Sequence, residues 1–231
     1  MLVNPPPTLA GRLGAVLSAL IVIFSLIGLT LNRDFYAGMR RKDYWAYYTN
    51  QSNLLVLIYF ALIAPALYTT DSALSLISHA EFALMLCIML THLVYHRLLA
   101  PFAPAQTDYL PHDAYTPIAR ADSCLQHYVV PLLTFAYWLL CSPDKAQLGP
   151  ADAAMWLAFP LGYTAYVLIR ARFFGVIYGT KSAYPYPFLN LDALGAGRVV
   201  ALCSMLLSLC LLGALAVVLA VRCAVWLILL A

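Results

Sequence analysis

Apolar and polar positions along this chain fall into long blocks instead of alternating. Six stretches stay apolar long enough to cross a bilayer, at 13–31, 47–68, 73–99, 124–141, 153–169 and 199–221. A hydrocarbon core of about 30 Å requires about 20 such residues at 1.5 Å rise each. Each stretch therefore predicts a membrane-spanning helix, and the absence of period-two alternation disfavours membrane strands. The predicted fold is all-α, a polytopic bundle of six transmembrane helices making a single domain over 1–231. The first stretch reads as a retained anchor. Its apolar run is too long for a signal peptide, and Thr30-Leu31-Asn32 is not a small-residue cleavage site.

Composition narrows the class further. Hydrophobic residues make up 64% of the chain and charged residues only 10%, against about 25% charged in a soluble domain. A soluble enzyme and a disordered chain are both excluded. The net charge of +3 is too weak a field for nucleic acid, so membrane lipids are the expected surroundings and no nucleic-acid partner is expected. No cofactor motif is present. The composition fixes no oligomeric state.

The basic residues are unevenly placed. Arg33, Arg40, Arg41, Lys42, Arg97, Arg120, Arg170, Arg172, Lys181 and Arg198 follow spans one, three and five, whereas Arg12, Lys145 and Arg222 lie on the opposite side. The positive-inside rule then makes the first group cytoplasmic and places both termini outside, in an inner (plasma) membrane. Arg40-Arg41-Lys42 reads as a topology anchor, and Tyr44, Trp45, Tyr47 and Tyr48 as an aromatic belt beside it. Cys87, Cys124, Cys141, Cys203, Cys210 and Cys223 sit in or at the ends of spans without a CxxC pair, and read as small packing residues. Pro5-Pro6-Pro7 forms a short extended tail. The long connections, 97–123 and 170–198, are rich in proline and aromatics, which predicts packed segments on the cytoplasmic face.

Polar side chains inside hydrocarbon must face protein, water or a cavity. Span two opens with Tyr47-Tyr48-Thr49-Asn50-Gln51-Ser52-Asn53. Thr49, Ser52 and Asn53 share one helical face, while Asn50 and Gln51 are left to serve the interface or a neighbouring loop. Interhelical hydrogen bonding accounts for such residues; a functional cavity is the alternative. Span three ends with Thr91-His92-Leu93-Val94-Tyr95-His96-Arg97, whose i, i+4 histidines have a zinc-site spacing but no accompanying glutamate. A third ligand would have to come from His127, Asp122 or Asp113. His127 lies about one turn inside span four, and Pro131 frees the carbonyl of His127, which then needs a partner such as water.

Spans two, three and four run alternately, so Thr49, His92, His96 and His127 are expected at one depth. Glu81, at the far end of span three, reads as an outer-face cap. The segment Tyr184-Pro185-Tyr186-Pro187-Phe188 is held extended by its prolines and predicts a lid or a structural belt across the helix ends.

The segments YYTNQSNLL, HLVYHRLL, LQHYVVPLL and YPYPFLNLDALG, taken in order along nearly the whole chain, resemble a bacterial family of six-span membrane proteins. That family is distantly similar to the eukaryotic androgen-induced membrane hydrolases, which cleave fatty acid esters of hydroxy fatty acids. The resemblance implies a threonine nucleophile at Thr49 and a histidine base at His127. The chain departs from the eukaryotic pattern in Asn50-Gln51-Ser52-Asn53 and in the spacing from His127 to Pro131. Such chemistry needs the hydroxyl and the ring within about 2.6–3.2 Å. Asn50 or Asn53 would serve as oxyanion donors, Ser52, His92 and His96 as substrate-binding groups, and Asp122 or Asp113 would orient the ring. A lipid or fatty-acid ester is the implied substrate. A transporter or small-molecule binding protein, a metal-dependent hydrolase using His92, His96 and His127, and a purely structural membrane protein are the competing readings.

Overall fold

The computed structural model describes residues 9–35, 41–64, 74–101, 108–109, 117–143 and 145–230. The Pro5-Pro6-Pro7 tail, Arg40 and Asp113 lie outside the described residues, as do the side chains of Arg33, Arg41 and Lys42. Among the described residues all regular structure is helical. α1 is Leu9–Phe35, α2 Arg41–Tyr44 and α3 Tyr48–Ile58; α4 is Leu74–Val94, α5 Pro117–Cys124 and α6 Val130–Cys141. α7 (Pro150–Met155), α8 (Ala158–Phe174), α9 (Leu191–Leu194) and α10 (Ala196–Leu230) complete the chain.

Five helices are long and apolar enough to cross a membrane: Gly11–Leu31, His79–Leu99, Pro117–Cys141, Pro150–Phe174 and Ala196–Ala224. The second expected span begins as α3 and a π-helical turn, Tyr59–Ile63; its residues 65–68 lie outside the described ones.

Several boundaries differ from the sequence pattern. The fourth span starts at Pro117 instead of 124, so Asp122 and Ser123 belong to a helix and not to a loop. The low-hydropathy turn 117–124 is helical because Pro117 suits a first helical position and Ala119, with Asp122, is buried against neighbours. The fifth span begins at Pro150 and is broken at Trp156 and Leu157. Pro160 explains the break, since its ring clashes with the carbonyl four residues earlier, that of Trp156. That carbonyl accepts instead from the Phe159 N–H at 3.3 Å.

α1 packs on α3, α5 and α6, while α4 packs on α3 and α6. Ile21, Val56, Phe60, Ile88 and Val130 close the seam between them. A second cluster joins Tyr48, Leu90, Trp156, Tyr163 and Leu189. The outward faces expose Val16, Ile23, Leu26, Met205 and Leu209, as hydrocarbon would require and water would penalise.

Two predicted surface roles are corrected. Arg170, expected among the cytoplasmic loop charges, is buried and ion-paired with buried Asp43. It also donates to the carbonyls of Gly175 and Ala183, each at 3.0 Å. A guanidinium whose stem starts within α8 can reach three acceptors only by turning inward. Glu81 is likewise buried and accepts from the Tyr59 hydroxyl at 3.0 Å, so it is no cap on an outer face. All six cysteines are free thiols; Cys87 is buried, but Cys124 and Cys223 are exposed and are not packing residues of the interior.

Candidate functional site

The first turn of α3, the end of α4 and the junction of α5 with α6 meet at one end of the bundle. Oγ1 of Thr49 stands 3.1 Å from Nε2 of His127. Nδ1 of the same ring lies 3.0 Å from the main-chain oxygen of Ser123. A carbonyl only accepts, so Nδ1 carries the hydrogen, and the neutral ring presents an Nε2 lone pair to the threonine hydroxyl. The polarity is therefore a hydroxyl donor facing a histidine acceptor. This is the arrangement that a base-activated nucleophile needs.

Local irregularity in the helices puts the ring there. Leu125–Val129 is a π-helical turn, as is Tyr95–Leu99 at the end of α4. Pro131 has no N–H for the oxygen of His127, and Nδ1 of His92 takes that oxygen at 2.8 Å. The predicted need for a partner is met, by a side chain of the neighbouring helix instead of water. Tyr95 stacks on His127 with ring centroids 3.8 Å apart and planes 20° from parallel. The Tyr95 hydroxyl accepts from the Ser123 hydroxyl at 2.7 Å. The imidazole is thus gripped at both faces of its geometry, by Nδ1 and by its ring plane.

The remaining expected site residues divide. Ser52 pairs with Thr91 at 2.7 Å between hydroxyls. The Asn53 amide donates to the carbonyls of Thr49 at 2.9 Å and Gln126 at 3.3 Å. The Asn50 amide donates to the Tyr44 carbonyl at 2.8 Å, and that of Gln51 to the Trp45 carbonyl at 2.7 Å. Both therefore serve the neighbouring loop, as their positions on the helix predicted. The Asn53 amide thus spends both N–H groups on carbonyls and that of Asn50 spends one, and neither side chain lines the cavity that holds Thr49. His96 is exposed, stacks on His92 and bonds the Tyr128 hydroxyl at 3.1 Å. Asp122 accepts from the Gln126 amide. Among the described residues no three His, Cys, Asp or Glu side chains are placed to hold a metal.

Thr49 and His127 line a cavity of about 60 Å³, together with Thr91, Tyr95, Tyr163, Thr164 and Tyr186. Asn50, Ser52, Asn53, His92 and His96 do not line it. Tyr186, Phe188 and Leu189 bring the proline-rich connection over the cavity, with Tyr186 and Phe188 stacked at 5.4 Å. The Tyr186 hydroxyl accepts the N–H of Tyr48 at 3.1 Å, one of the first-turn donors of α3 that has no partner in its own helix. It faces Thr49 as well. Burial raises the phenol above its usual range, so it remains a protonated donor.

Tyr95, Ser123 and Tyr186 were not singled out as site residues by their sequence. Ser123 carried a faint signal, being i−4 to His127 on a continuous helix, which only the corrected start of the fourth span exposes. No family model, no curated protein and no solved structure matches the chain.

Proposed function

We propose that the protein is a six-span integral membrane hydrolase of lipid or fatty-acid esters, with Thr49 as nucleophile and His127 as base. The span beyond the five long apolar helices is the second expected one, which begins with α3. The bias of basic residues toward the connections after spans one, three and five supports a site near the cytoplasmic interface of an inner membrane, with both termini outside. The observation that carries the reading is the 3.1 Å contact of Thr49 Oγ1 with His127 Nε2, in a ring whose Nδ1 is already occupied.

In this scheme Nε2 takes the threonine proton as Oγ1 attacks the ester carbonyl. The tetrahedral intermediate collapses, its alcohol leaves with the proton from Nε2, and an acyl-threonine remains. A water, deprotonated by the same Nε2, attacks that ester and releases the acid, restoring Thr49. The Tyr186 hydroxyl replaces the asparagines as the donor to the oxyanion. An interface site suits an ester whose carbonyl sits at headgroup depth while its chain stays in hydrocarbon.

The test is turnover of a lipid-ester panel by purified protein in bilayer discs. Thr49→Ala and His127→Ala, each with the melting profile of the parent, are expected to lose hydrolysis, and Thr49→Ser to keep part of it. Equal turnover by parent and Thr49→Ala would overturn the assignment.

A further inference from the structure

The cavity holding Thr49 and His127 has room for an ester group but not for a chain. Leu90, Val94, Leu99, Phe188 and Leu206 line both it and a second, larger space, a groove of about 640 Å³ between α4 and α10. The two spaces therefore adjoin along a shared apolar wall. Among the described residues lining the groove, Arg97 is the one charged side chain. It stands within the π-helical turn that ends α4, on the same turn as Tyr95 of the site. The far end of the groove is wholly apolar, lined by Met85, Ala214 and Val217.

Along α10 the lining runs from Leu202 to Val217, about 22 Å at 1.5 Å per residue. One leaflet of hydrocarbon is about 15 Å deep, half of a 30 Å core. The groove is as long as a full acyl chain and charged only at its site end, where Arg97 stands. Its walls include Met89 and Met205, flexible side chains that adapt to a chain without defined shape. Gly213 lies along it, and a Cβ there would meet no atom within 4 Å.

We propose that this groove holds one long acyl chain of a bilayer-dissolved ester, entering sideways between α4 and α10 with its carbonyl end at Thr49. The proposal rests on the hydrolase reading for the chemistry at Thr49, but the chain site stands on the groove alone. It makes chain length the specificity element of the protein, and Gly213 the position that leaves the tip of the groove open.

A palmityl ether bearing a mid-chain diazirine, which cannot be hydrolysed, tests it. The full chain in bilayer discs is irradiated with the probe and the labelled peptides are mapped. Labelling is expected on the Met85–Met89 and Met205–Val217 stretches and should fall at least fivefold in Gly213→Trp. Leu212→Trp, an exposed neighbour on the same helix, controls for folding and should label as the parent does. Undiminished labelling in Gly213→Trp, or equal labelling of the outward face of α1, overturns the chain site whether or not esters are hydrolysed. Groove-specific labelling by a protein that turns over no ester would support the chain site and remove the hydrolase reading alone.

Discussion

Nδ1 of His92 stands 2.8 Å from the main-chain oxygen of His127, the oxygen that Pro131 cannot serve. The finding converts the helix pair α4 and α5–α6 into one device, because a defect in one helix is completed by a side chain of the other. It also settles the tautomer of His92, whose Nδ1 must carry the hydrogen. His92→Ala leaves a half-buried carbonyl without a partner, a loss of about 1–3 kcal/mol. The π-helical turn that aims His127 should then loosen, lowering both thermal stability and ester turnover. Pro131→Ala restores a main-chain N–H, so the double variant should recover part of the stability lost in His92→Ala. Melting of the four proteins in detergent, read as a double-mutant cycle, checks it; additive losses would show that the two residues act separately.

The candidate site was partly legible in the chain because hydrophobic blocks fix depth. Polar side chains in hydrocarbon are few, and Thr49 and His127 could be assigned the same level by counting along their spans. Their partners were hidden for two physical reasons. Which face Tyr95 and Ser123 present depends on the phase of π-helical turns, and these shift the 100° periodicity by which faces are counted. Tyr186 reaches Tyr48 across 138 residues, a long-range contact that no local pattern announces. Arg170 misled for a related reason. A basic residue at the end of a span is read as a topology signal, and only its contact with Asp43, 127 residues away, marks it as interior. The all-helical class was legible in the unbroken apolar blocks, and five helices long and apolar enough to cross a membrane agree with it.

That Asp43–Arg170 pair yields a prediction about graded loss. Both side chains are almost wholly buried, and removing one partner of a buried pair costs about 3–5 kcal/mol. Asp43→Asn keeps a hydrogen-bond acceptor and should lie at or below the low end. Arg170→Met also strips the carbonyls of Gly175 and Ala183 of their donor, so it should be the more damaging change. Proteolysis between residues 175 and 195 is expected to rise in Arg170→Met well before the helices melt. Equal sensitivity of the two variants would mean that the carbonyl bonds contribute nothing.

Gly28 is required by a close approach, not by backbone conformation. A Cβ there would lie 2.9 Å from Cγ of Gln126, whose side chain is fully buried and holds the Gly28 carbonyl at 3.3 Å and Asp122. That side chain cannot swing away without abandoning both bonds. Gly28→Ala should therefore destabilise by about 1–3 kcal/mol, the range for overpacking. Because Gln126 sits in the turn that carries His127, the strain should also reach turnover. Pairing Gly28→Ala with Gln126→Ala removes the clash, and a partial rescue of the melting temperature over Gly28→Ala alone is the expected result.

Tyr186 offers the sharpest separation between a catalytic and a structural role. Its hydroxyl accepts from the Tyr48 N–H and lines the cavity beside Thr49, so in the proposed scheme its own hydrogen would turn to the carbonyl oxygen attacked by Oγ1. Tyr186→Phe keeps the ring, and with it the stacking on Phe188 and the edge contact with Tyr47 at 6.2 Å between centroids. Loss of one oxyanion donor costs about 10²–10³ in kcat. KM should hardly move, because the donor strengthens its bond only in the transition state. Either role lowers thermal stability by about 1 kcal/mol through the lost bond to the first turn of α3, but a merely structural tyrosine would leave kcat per folded molecule intact. Measuring kcat and KM on a long-chain ester, normalised to folded protein by the melting profile, therefore decides whether the hydroxyl is catalytic as well as structural.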